Sequence, residues 1–523
     1  MLDWWPAVWT KRLVLMLSVQ RFFVTTMMIL LLLYCCAVNS LNSLTYGYLT
    51  WEWKEGLRGF SFPLFFASIY KILHLINLDS VHLLKWLPRI LQALLAAFAD
   101  VKFFFLIRTL ESADVAKWTF FCHLCSWFTW FCCTRTLTNS METTLTCLAL
   151  FYFPLSGSTT HSRSLLVKTF NFSFLFYSNL HRRLLTDTLL VFVFFSSKKY
   201  LLLVALAVVV RPTALIVWFP LLMYHFWQED NKLRLITHNY IPIGTLAVVT
   251  STVIDCLFYE KWTMVQFNFL KFNVLHGVAD FYGSHPWHWY FTQGFAVVIG
   301  PHLPFFLHGC TIAFKRYKIL LVAVVWTVVV YSFLPHKEFR FIYPVLPFCM
   351  VFCGISVANL KAWRRAAALA LLATNLVAAL YTGLIHQRGT LDVMSHLQTL
   401  CETSSVSTPL QPDVLFLMPC HSTPYYSHIH CQIKMKFLEC PPDLGEEGYV
   451  DEADSFYSDP LHWLRTSFPY KSSLPTHMVL FDVLEEEISV FLRGNNFVRT
   501  AEIFHTHFPE GRVGGSIFIY ERH

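Results

Sequence analysis

Long apolar stretches separated by short polar connections dominate the first 385 residues of the chain. They lie at about 22–38, 62–77, 88–108, 117–134, 143–156, 184–196, 200–226, 239–258, 294–314, 318–335, 341–358 and 365–385. A helix needs about 20 apolar residues to cross a bilayer, so the shorter stretches are expected to be re-entrant or interfacial. The pattern predicts a polytopic α-helical membrane protein with about ten to twelve spans.

The pattern changes near residue 386. Short apolar runs with polar borders, typical of strands, lie at 413–420, 476–483 and 515–522. Residues 484–492 have the pattern of a helix that ends near Gly494. We therefore predict a membrane domain at 1–385 and a small, soluble α/β domain at 386–523.

Composition and charge support this division. The chain is 55% hydrophobic and only 14% charged, whereas soluble domains have about 25% charged residues. Residues 1–385 contain 31 Lys and Arg against 15 Asp and Glu, and residues 386–523 contain 9 against 18. A basic excess in the apolar part is typical of cytosolic membrane loops. Nucleic-acid binding is not expected, because no basic stripe with interleaved aromatics lies outside the apolar stretches.

The basic residues before the first apolar stretch place the start of the chain in the cytosol and residues 46–59 on the opposite side. There, Glu52 and Arg58 are flanked by aromatic residues and could hold an acceptor sugar. An interfacial loop without a binding role is the alternative.

Most of the 15 cysteines lie in apolar runs, where they are expected to be small buried residues. Cys122 and Cys125 have zinc-like spacing but no partner pair, so no metal site is predicted. Four cysteines lie in the C-terminal domain, where one or two disulfides are expected if the domain faces an oxidising lumen. Their pairing cannot be predicted. They are Cys401, Cys420, Cys431 and Cys440.

A charge cluster within "LPHKEFRFIYPVLP" (334–347) separates two apolar stretches. Lys337 and Arg340 are suited to binding phosphate oxygens. His336 could donate a hydrogen bond to the same group, and Glu338 could orient a base or a sugar hydroxyl. The sequence therefore predicts a site for a lipid-linked phosphate, with a solvated loop at the membrane boundary as the alternative.

A second polar and aromatic loop, 267–294, contains residues that could contact a sugar. Trp287 could stack on a sugar face, while His285, His288 and Gln293 could bind hydroxyl groups. An aromatic belt at the membrane interface would have the same composition.

Three charged residues lie between or inside apolar stretches. Arg135 and Glu142 either pair with each other or line an acceptor cavity. Arg211 precedes a proline and is expected to face a protein or water cavity.

"HKEFRFIYPVLPF" (336–348) strongly resembles the signature loop of the endoplasmic-reticulum mannosyltransferases that use dolichyl-phosphate mannose, glycosyltransferase family 22. "YGYLTWEW" (46–53), "RTLTNSMET" (135–143) and "RPTA" (211–214) belong to the same family pattern. Residues 281–295, 300–309 and 418–430 are more specifically similar to family members that act on the GPI-anchor precursor. The resemblance covers 46–158 and 197–523.

The resemblance implies a GT-C membrane fold with its soluble C-terminal domain in the lumen of the endoplasmic reticulum. It also implies an inverting transfer of the third mannose, α1,2-linked, onto the GPI-anchor precursor, with dolichyl phosphate leaving. The partners would be the donor, the glycolipid precursor and the bilayer, with no metal or other cofactor. Lys337 and Arg340 would lie near the departing phosphate, with Glu338 nearby.

The chain departs from the family in two places. The family has an acidic pair before "YGYLTWEW", and its Asp is the expected general base, but residues 22–46 contain no Asp or Glu. Glu52 is the nearest substitute and, with Glu338, the remaining catalytic candidate. Residues 159–196 have no counterpart in the family. An imperfect gene model or a splice form explains both differences, and we predict that the chain as written is catalytically impaired.

Other functions stay open on the sequence alone. A mannosyltransferase of the N-glycan precursor would use the same donor. Many spans would also suit a transporter or lipid scramblase, although no repeated pair of broken half-helices is seen. A non-catalytic membrane scaffold is compatible with the absent acidic pair.

Overall fold

The computed structural model describes residues 50–78, 80–158, 198–275, 278–407, 412–429, 433–442 and 449–523. The predicted stretches 22–38 and 184–196 lie outside the described residues, as do the whole insert 159–196 and Cys431.

The chain forms two compact units. The helical unit consists of Gly56–Phe62 and Ile90–Ala379. The C-terminal unit takes in Pro63–Arg89 and Leu380–His523, with the described residues up to Glu55. The prediction of a domain boundary at residue 386 stays a prediction.

The helices follow the apolar stretches. In chain order they are Trp51–Lys54, Ser61–Leu75, Val81–Leu110, Ala113–Cys125, Trp127–Cys132, Thr138–Tyr152, 198–210, Ala214–Gln228, Lys232–Leu235, Ile241–Tyr259, Val265–Leu270, Phe295–Ile299, Leu303–Ala313, Lys318–Phe333, Leu346–Asn359, Arg364–Leu384, Gly389–Ser407, Glu452–Ser458, Pro460–Ser467 and Glu485–Gly494.

Within the described residues, five continuous helical segments are long and apolar enough to cross a membrane. They are His82–Leu110, Lys232–Tyr259, Tyr290–Ala313, Phe339–Asn359 and Lys361–Cys401. Shorter apolar helices are Ser61–Leu75, Ala214–Gln228 and Lys318–Phe333. A polytopic helical membrane protein is thus confirmed, while the number of spans stays a prediction.

Two predicted stretches are interrupted for local reasons. The stretch 117–134 breaks at Ser126, whose hydroxyl caps the next helix by accepting from the N–H of Thr129. The stretch 200–226 breaks after residue 210, where Pro212 lacks the N–H that a continuous helix would use. This second break places Arg211 between two helices instead of inside one.

The most buried membrane helix, Leu346–Asn359, packs closely against Leu303–Ala313 and Ala113–Cys125. Glycine permits this approach at two points. A Cβ atom on Gly354 would overlap the backbone of Thr119, and one on Gly309 would overlap the carbonyl group of Phe352. Small residues that allow close backbone approach are typical of packed membrane helices.

We expect Gly354→Ala to destabilise the helical unit by about 1–3 kcal/mol, the usual cost of overpacking. The measurement is thermal unfolding of the full chain in detergent. Gly244→Ala is the control, because this glycine lies in the membrane helix Ile241–Tyr259 with nothing within 4 Å of its added Cβ. Equal melting temperatures for the two variants would contradict the tight packing at Gly354.

The C-terminal unit contains a five-stranded mixed sheet in the order β2-β1-β3-β5-β4. The strands are β1 Asp413–Leu417, β2 Lys434–Phe437, β3 His477–Phe481, β4 Phe497–Phe504 and β5 Ser516–Arg522. β1 is parallel to β2 and β3, while β5 is antiparallel to β3 and β4. The α/β prediction is confirmed for this sheet and its helices; that the unit is soluble stays a prediction.

Three strands and one helix of this unit agree with the sequence. β1, β3 and β5 lie within the three predicted runs, and the helix Glu485–Gly494 ends where Gly494 predicted. The two edge strands were missed. β2 has only four residues, and β4 is mostly exposed, so neither has the apolar pattern of a buried strand.

The disulfides expected for this unit are present. Cys420 is bonded to Cys440, and Cys401 is also disulfide-bonded. Cys122 and Cys125 are buried free thiols in the helical unit, as expected for small apolar residues.

Candidate active site

The charge cluster and the aromatic loop form one joined structure in the helical unit. The His285 N–H donates to the Pro335 carbonyl at 3.0 Å. The Tyr290 hydroxyl donates to the Glu338 carbonyl at 2.8 Å and accepts from the Glu338 N–H at 3.2 Å. The structure therefore fixes the backbone on both sides of the charged side chains.

Lys337 holds the two loops together from inside. Lys337 is only 4% exposed. Its ammonium group donates to the carbonyls of His285, Leu334 and Pro335. An ammonium group has three donors, so these bonds direct its protons into the loop. The contact of Lys337 with phosphate stays a prediction, and the geometry favours a structural role for this lysine.

Glu338 and Arg340 form a bidentate ion pair. Nε of Arg340 lies 2.5 Å from Oε2 of Glu338, and Nη2 lies 2.6 Å from Oε1. The Arg340 side chain is 36% exposed and the Glu338 side chain is 30% exposed, so an incoming molecule can reach the pair. Burial alone would raise the pKa of Glu338, but Arg340 and His336 outweigh it and lower the pKa to about 2. A carboxylate with so low a pKa is a weak base, which favours positioning of Arg340 over proton transfer.

His336 is held in its doubly protonated form. Its Nδ1 donates to the Gly283 carbonyl at 3.0 Å, and its Nε2 lies 3.3 Å from Oε1 of Glu338. Both oxygens are acceptors, which favours a proton on each ring nitrogen. The hydrogen bond to Glu338 accordingly raises the pKa of His336, although burial opposes the rise.

This proton makes the loop sensitive to pH. A raised histidine pKa gives stability that is present below the unfolded value of about 6.5 and is lost as pH rises through the folded pKa. We expect the full chain to lose part of its free energy of unfolding through this group as the pH rises above about 6.5. The His336→Gln variant should lose that part of the dependence. Parallel pH profiles for the two proteins would contradict the assignment.

Two contacts attach the charged loop to the helix Thr138–Tyr152 and its neighbour. The Asn139 side-chain amide donates to the Arg340 carbonyl at 3.0 Å. Glu142 pairs with Arg211 at 3.3 Å, and the Arg211 guanidinium carbon lies 4.9 Å from the centre of the Phe341 ring.

Of the two alternatives for Arg135 and Glu142, the mutual pair is not formed. The Arg135 guanidinium lies over the Phe131 ring at 3.5 Å, while Glu142 pairs with Arg211. The sequence could not indicate this partner, because Arg211 is distant in the chain and reaches Glu142 only in the fold. The contact of Arg135 and Glu142 with an acceptor stays a prediction.

The predicted sugar-binding loop has an exposed aromatic surface. Trp287 is 68% exposed, and His288 and Gln293 are also exposed. His285 instead stacks on Trp289, with 4.7 Å between ring centres. The surface of Trp287 suits a sugar ring, whereas the His285 ring has a packing partner; their binding roles stay predictions.

The first-loop candidates fall in different units. Glu52 is half-buried in the C-terminal unit. Burial lowers the pKa of His421, and the nearby charge of Glu52 partly opposes this change. Arg58 belongs to the helical unit, where its carbonyl accepts from the Tyr259 hydroxyl at 2.8 Å. The replacement of the general base by Glu52 and the binding role of Arg58 stay predictions.

Three residues of the site were not predicted from the sequence. Asn139 lies in the polar motif 135–143, but its contact with Arg340 depends on the fold. Tyr290 and Tyr331 stand among many aromatic residues, and only their positions around Glu338 and Phe341 distinguish them. No sequence signal short of the fold would have selected these tyrosines.

Apolar helices long enough to span a membrane and a charged loop beside them are the features expected of a membrane glycosyltransferase. Residues 19–430 match the model of the Alg9-like mannosyltransferase family, and the chain belongs to this family. It is a membrane-embedded mannosyltransferase-family enzyme.

Curated relatives cover nearly the whole chain. "GPI alpha-1,2-mannosyltransferase 3" of Danio rerio is 62% identical over 91% of this chain and 82% of its own length. The Homo sapiens protein of the same name is 57% identical over 91% of this chain and 80% of its own. "GPI mannosyltransferase 3" of Drosophila melanogaster is 38% identical over 90% and 78%.

Solved structures show the fold. ArnT from Cupriavidus metallidurans bound to undecaprenyl phosphate is similar with a TM-score of 0.56, 11% identity and 98% coverage of both chains. The Archaeoglobus fulgidus oligosaccharyltransferase has a TM-score of 0.52 and 10% identity over 97% of this chain and 75% of its own. These likenesses support the GT-C fold that the sequence resemblance implied.

Proposed function

We propose that this chain is an α1,2-mannosyltransferase that adds the third mannose to the GPI-anchor precursor, with dolichyl-phosphate mannose as the donor. The observation that carries this proposal is the 55–62% identity to five vertebrate relatives named GPI alpha-1,2-mannosyltransferase 3, over at least 91% of the chain. The three stretches that resemble GPI-specific family members agree with it.

The charged loop supports a lipid phosphate as the leaving group. Arg340 is a partly exposed cation at the start of the apolar segment Phe339–Asn359. A planar guanidinium can bind two phosphate oxygens in a bidentate manner. An isoprenoid chain would pack on apolar helices while its phosphate meets Arg340. Glu338 then acts as a positioning residue that keeps the guanidinium oriented until phosphate replaces or joins it.

The reaction follows from this placement. The acceptor hydroxyl oxygen attacks the anomeric carbon of mannose, and the bond from that carbon to the phosphate oxygen breaks. The electron pair stays on the phosphate, where Arg340 stabilises the growing charge. The hydroxyl proton passes to a base. Because residues 22–46 contain no carboxylate, the chain as written lacks the family's base, and we propose that its turnover is impaired.

The location proposed is the membrane of the endoplasmic reticulum, with the C-terminal unit in the lumen. The Cys420–Cys440 disulfide supports this orientation, because disulfides persist in oxidising compartments. We retain ten to twelve spans in the proposal, since the shorter apolar helices would add to the five long segments.

The test is rescue of a cell line that lacks this mannosyltransferase. We expect this chain to reduce the accumulated precursor with two mannoses and to restore some surface GPI-anchored protein. A version with an Asp-Glu pair inserted before Tyr46 should do so more strongly. Failure of both versions, at matched expression, would reject the proposed function.

A related function is separated by the same cells. If the chain were a mannosyltransferase of the N-glycan precursor, it would leave the two-mannose GPI precursor unchanged and rescue cells with truncated lipid-linked oligosaccharide instead. The GPI-specific stretches and the names of the relatives favour the first outcome.

A further inference from the structure

A second cation lies behind the charged loop in the helical unit. Arg211 pairs with Glu142 at 3.3 Å, and their side chains are 11% and 0% exposed. Arg211 also lies over the Phe341 ring, which directly follows Arg340 in the chain. The guanidinium is therefore buried next to the predicted donor loop.

The binding capacity of Arg211 is only partly used. A guanidinium has five N–H donors. Among the described residues, its one hydrogen bond is the contact from Nη1 to Oε2 of Glu142. By contrast, Arg340 uses two nitrogens on Glu338, and Lys337 directs its protons to carbonyls. Of the three cations around the loop, Arg211 has the most donors left for a ligand.

Buried polar groups around Arg211 also lack partners. Within the described residues, Oε1 of Glu142 is buried without a hydrogen bond, and the buried Tyr331 and Thr213 hydroxyls lie close to each other with no further partner. Leaving such a group unsatisfied costs about 1–3 kcal/mol. Unpartnered buried groups in native proteins call for an explanation such as a catalytic role or an occupant.

Two possible donors to a ligand, Tyr331 and Arg211, lie beside the Phe341 ring. The Tyr331 ring lies 5.6 Å from the Phe341 ring, and the Arg211 guanidinium lies 4.9 Å from it. Thr213 follows Arg211 by two residues, at the break before the helix Ala214–Gln228. A cation and hydroxyl donors around one ring suit an anion with several acceptor oxygens.

We propose that Arg211 and Tyr331 bind the phosphate monoester of the lipid-linked leaving group, and that Glu142 positions Arg211 for this contact. The proposal rests on the proposed function, because that function supplies the lipid phosphate. Arg340 meets the phosphate from the loop and Arg211 from the helical side. Two cations would match the dianion that forms when the bond to mannose breaks.

Glu142 fits the positioning role by its geometry. Its carboxylate holds one end of the guanidinium, so the remaining N–H groups can be directed to an anion. A carboxylate that orients a cation without touching the ligand is a familiar supporting element of binding sites. Its free Oε1 can take a second bond from Arg211 when the arginine shifts on phosphate.

The experiment measures binding of dolichyl phosphate to the full chain in detergent, so it does not require turnover. We expect Arg211→Gln to weaken binding about tenfold or more, and Tyr331→Phe to weaken it several-fold, about the effect of losing a hydrogen bond to a charged group. Arg364→Gln is the matched control. Its Nη1 lies 3.2 Å from Oδ2 of Asp114, but both side chains are exposed, at 41% and 57%.

Further arms identify the source of the contact. Dolichol, which lacks phosphate, should bind equally to wild type and variants. Inorganic phosphate should compete with dolichyl phosphate on wild type and less on Arg211→Gln. Phosphatidylinositol should compete weakly; if only this lipid is affected by the substitution, the site belongs to the acceptor and the proposal is wrong.

The outcomes separate this proposal from the proposed function. Unchanged dolichyl phosphate binding in both Arg211→Gln and Tyr331→Phe overturns the site, whatever the enzyme transfers. If wild type does not bind dolichyl phosphate, the proposed donor fails as well. Should Arg211→Gln not fold, Tyr331→Phe alone decides, with Tyr290, Phe341 and the apolar packing left in place.

Discussion

Replacing Arg340 by alanine is expected to lower mannosyl transfer by about 10²–10³-fold, the usual loss when one donor that stabilises developing charge is removed. The ion pair with Glu338 holds this guanidinium in a partly exposed position at the start of the apolar segment Phe339–Asn359. The loss should fall on the transfer rate, because charge grows on phosphate only as the bond to mannose breaks. Initial rates with radiolabelled donor in membranes measure it.

The matched control is Arg388→Ala in the C-terminal unit. Arg388 also donates through Nε to a carboxylate at 2.6 Å, and its side chain is 41% exposed, against 36% for Arg340. We expect little effect there. Arg340→Lys should recover part of the activity, because it keeps the charge but loses the planar fork. Unchanged transfer by Arg340→Ala would remove the phosphate role.

Inserting an Asp-Glu pair before Tyr46 is expected to raise the transfer rate by about 10²–10⁴-fold, the usual contribution of general acid–base catalysis. The chain contains no carboxylate at residues 22–46, where the family has its expected base. Initial rates at matched protein levels give the measurement.

An Asn-Gln insertion of equal length is the control, since it changes the loop without supplying a base. Glu52→Gln in the uninserted chain tests the nearest substitute. If Glu52 serves as the base, this change abolishes the residual rate; if the rate is unaffected, Glu52 has no such role. Equal rates for the acidic and amide insertions would contradict the missing-base account.

The predictable parts of the fold are those in which a local pattern decides the structure. Apolar length identified the membrane helices, and β1, β3 and β5 have the short buried runs between polar borders that are typical of interior strands. Edge strands were harder to predict, because β2 is short and β4 is largely exposed.

The site divides in the same way. The charge cluster could be recognised in the sequence, because ionisable residues beside apolar stretches are costly and often mark a functional site. The sequence could not show that Lys337 is turned inward to three carbonyls, because those acceptors come from the fold of two loops. Nor could it show that Glu142 pairs with Arg211, since the two residues are 69 positions apart.

The central claim is that this membrane chain moves mannose from a lipid phosphate to a GPI precursor. The most direct measurement incubates the purified full chain with dolichyl phosphate carrying radiolabelled mannose and with a precursor that has two mannoses. We expect label on the precursor, removable by an α1,2-mannosidase, with more label from the version that contains the acidic pair. If neither version labels the precursor while the donor remains intact, the proposed transfer is wrong.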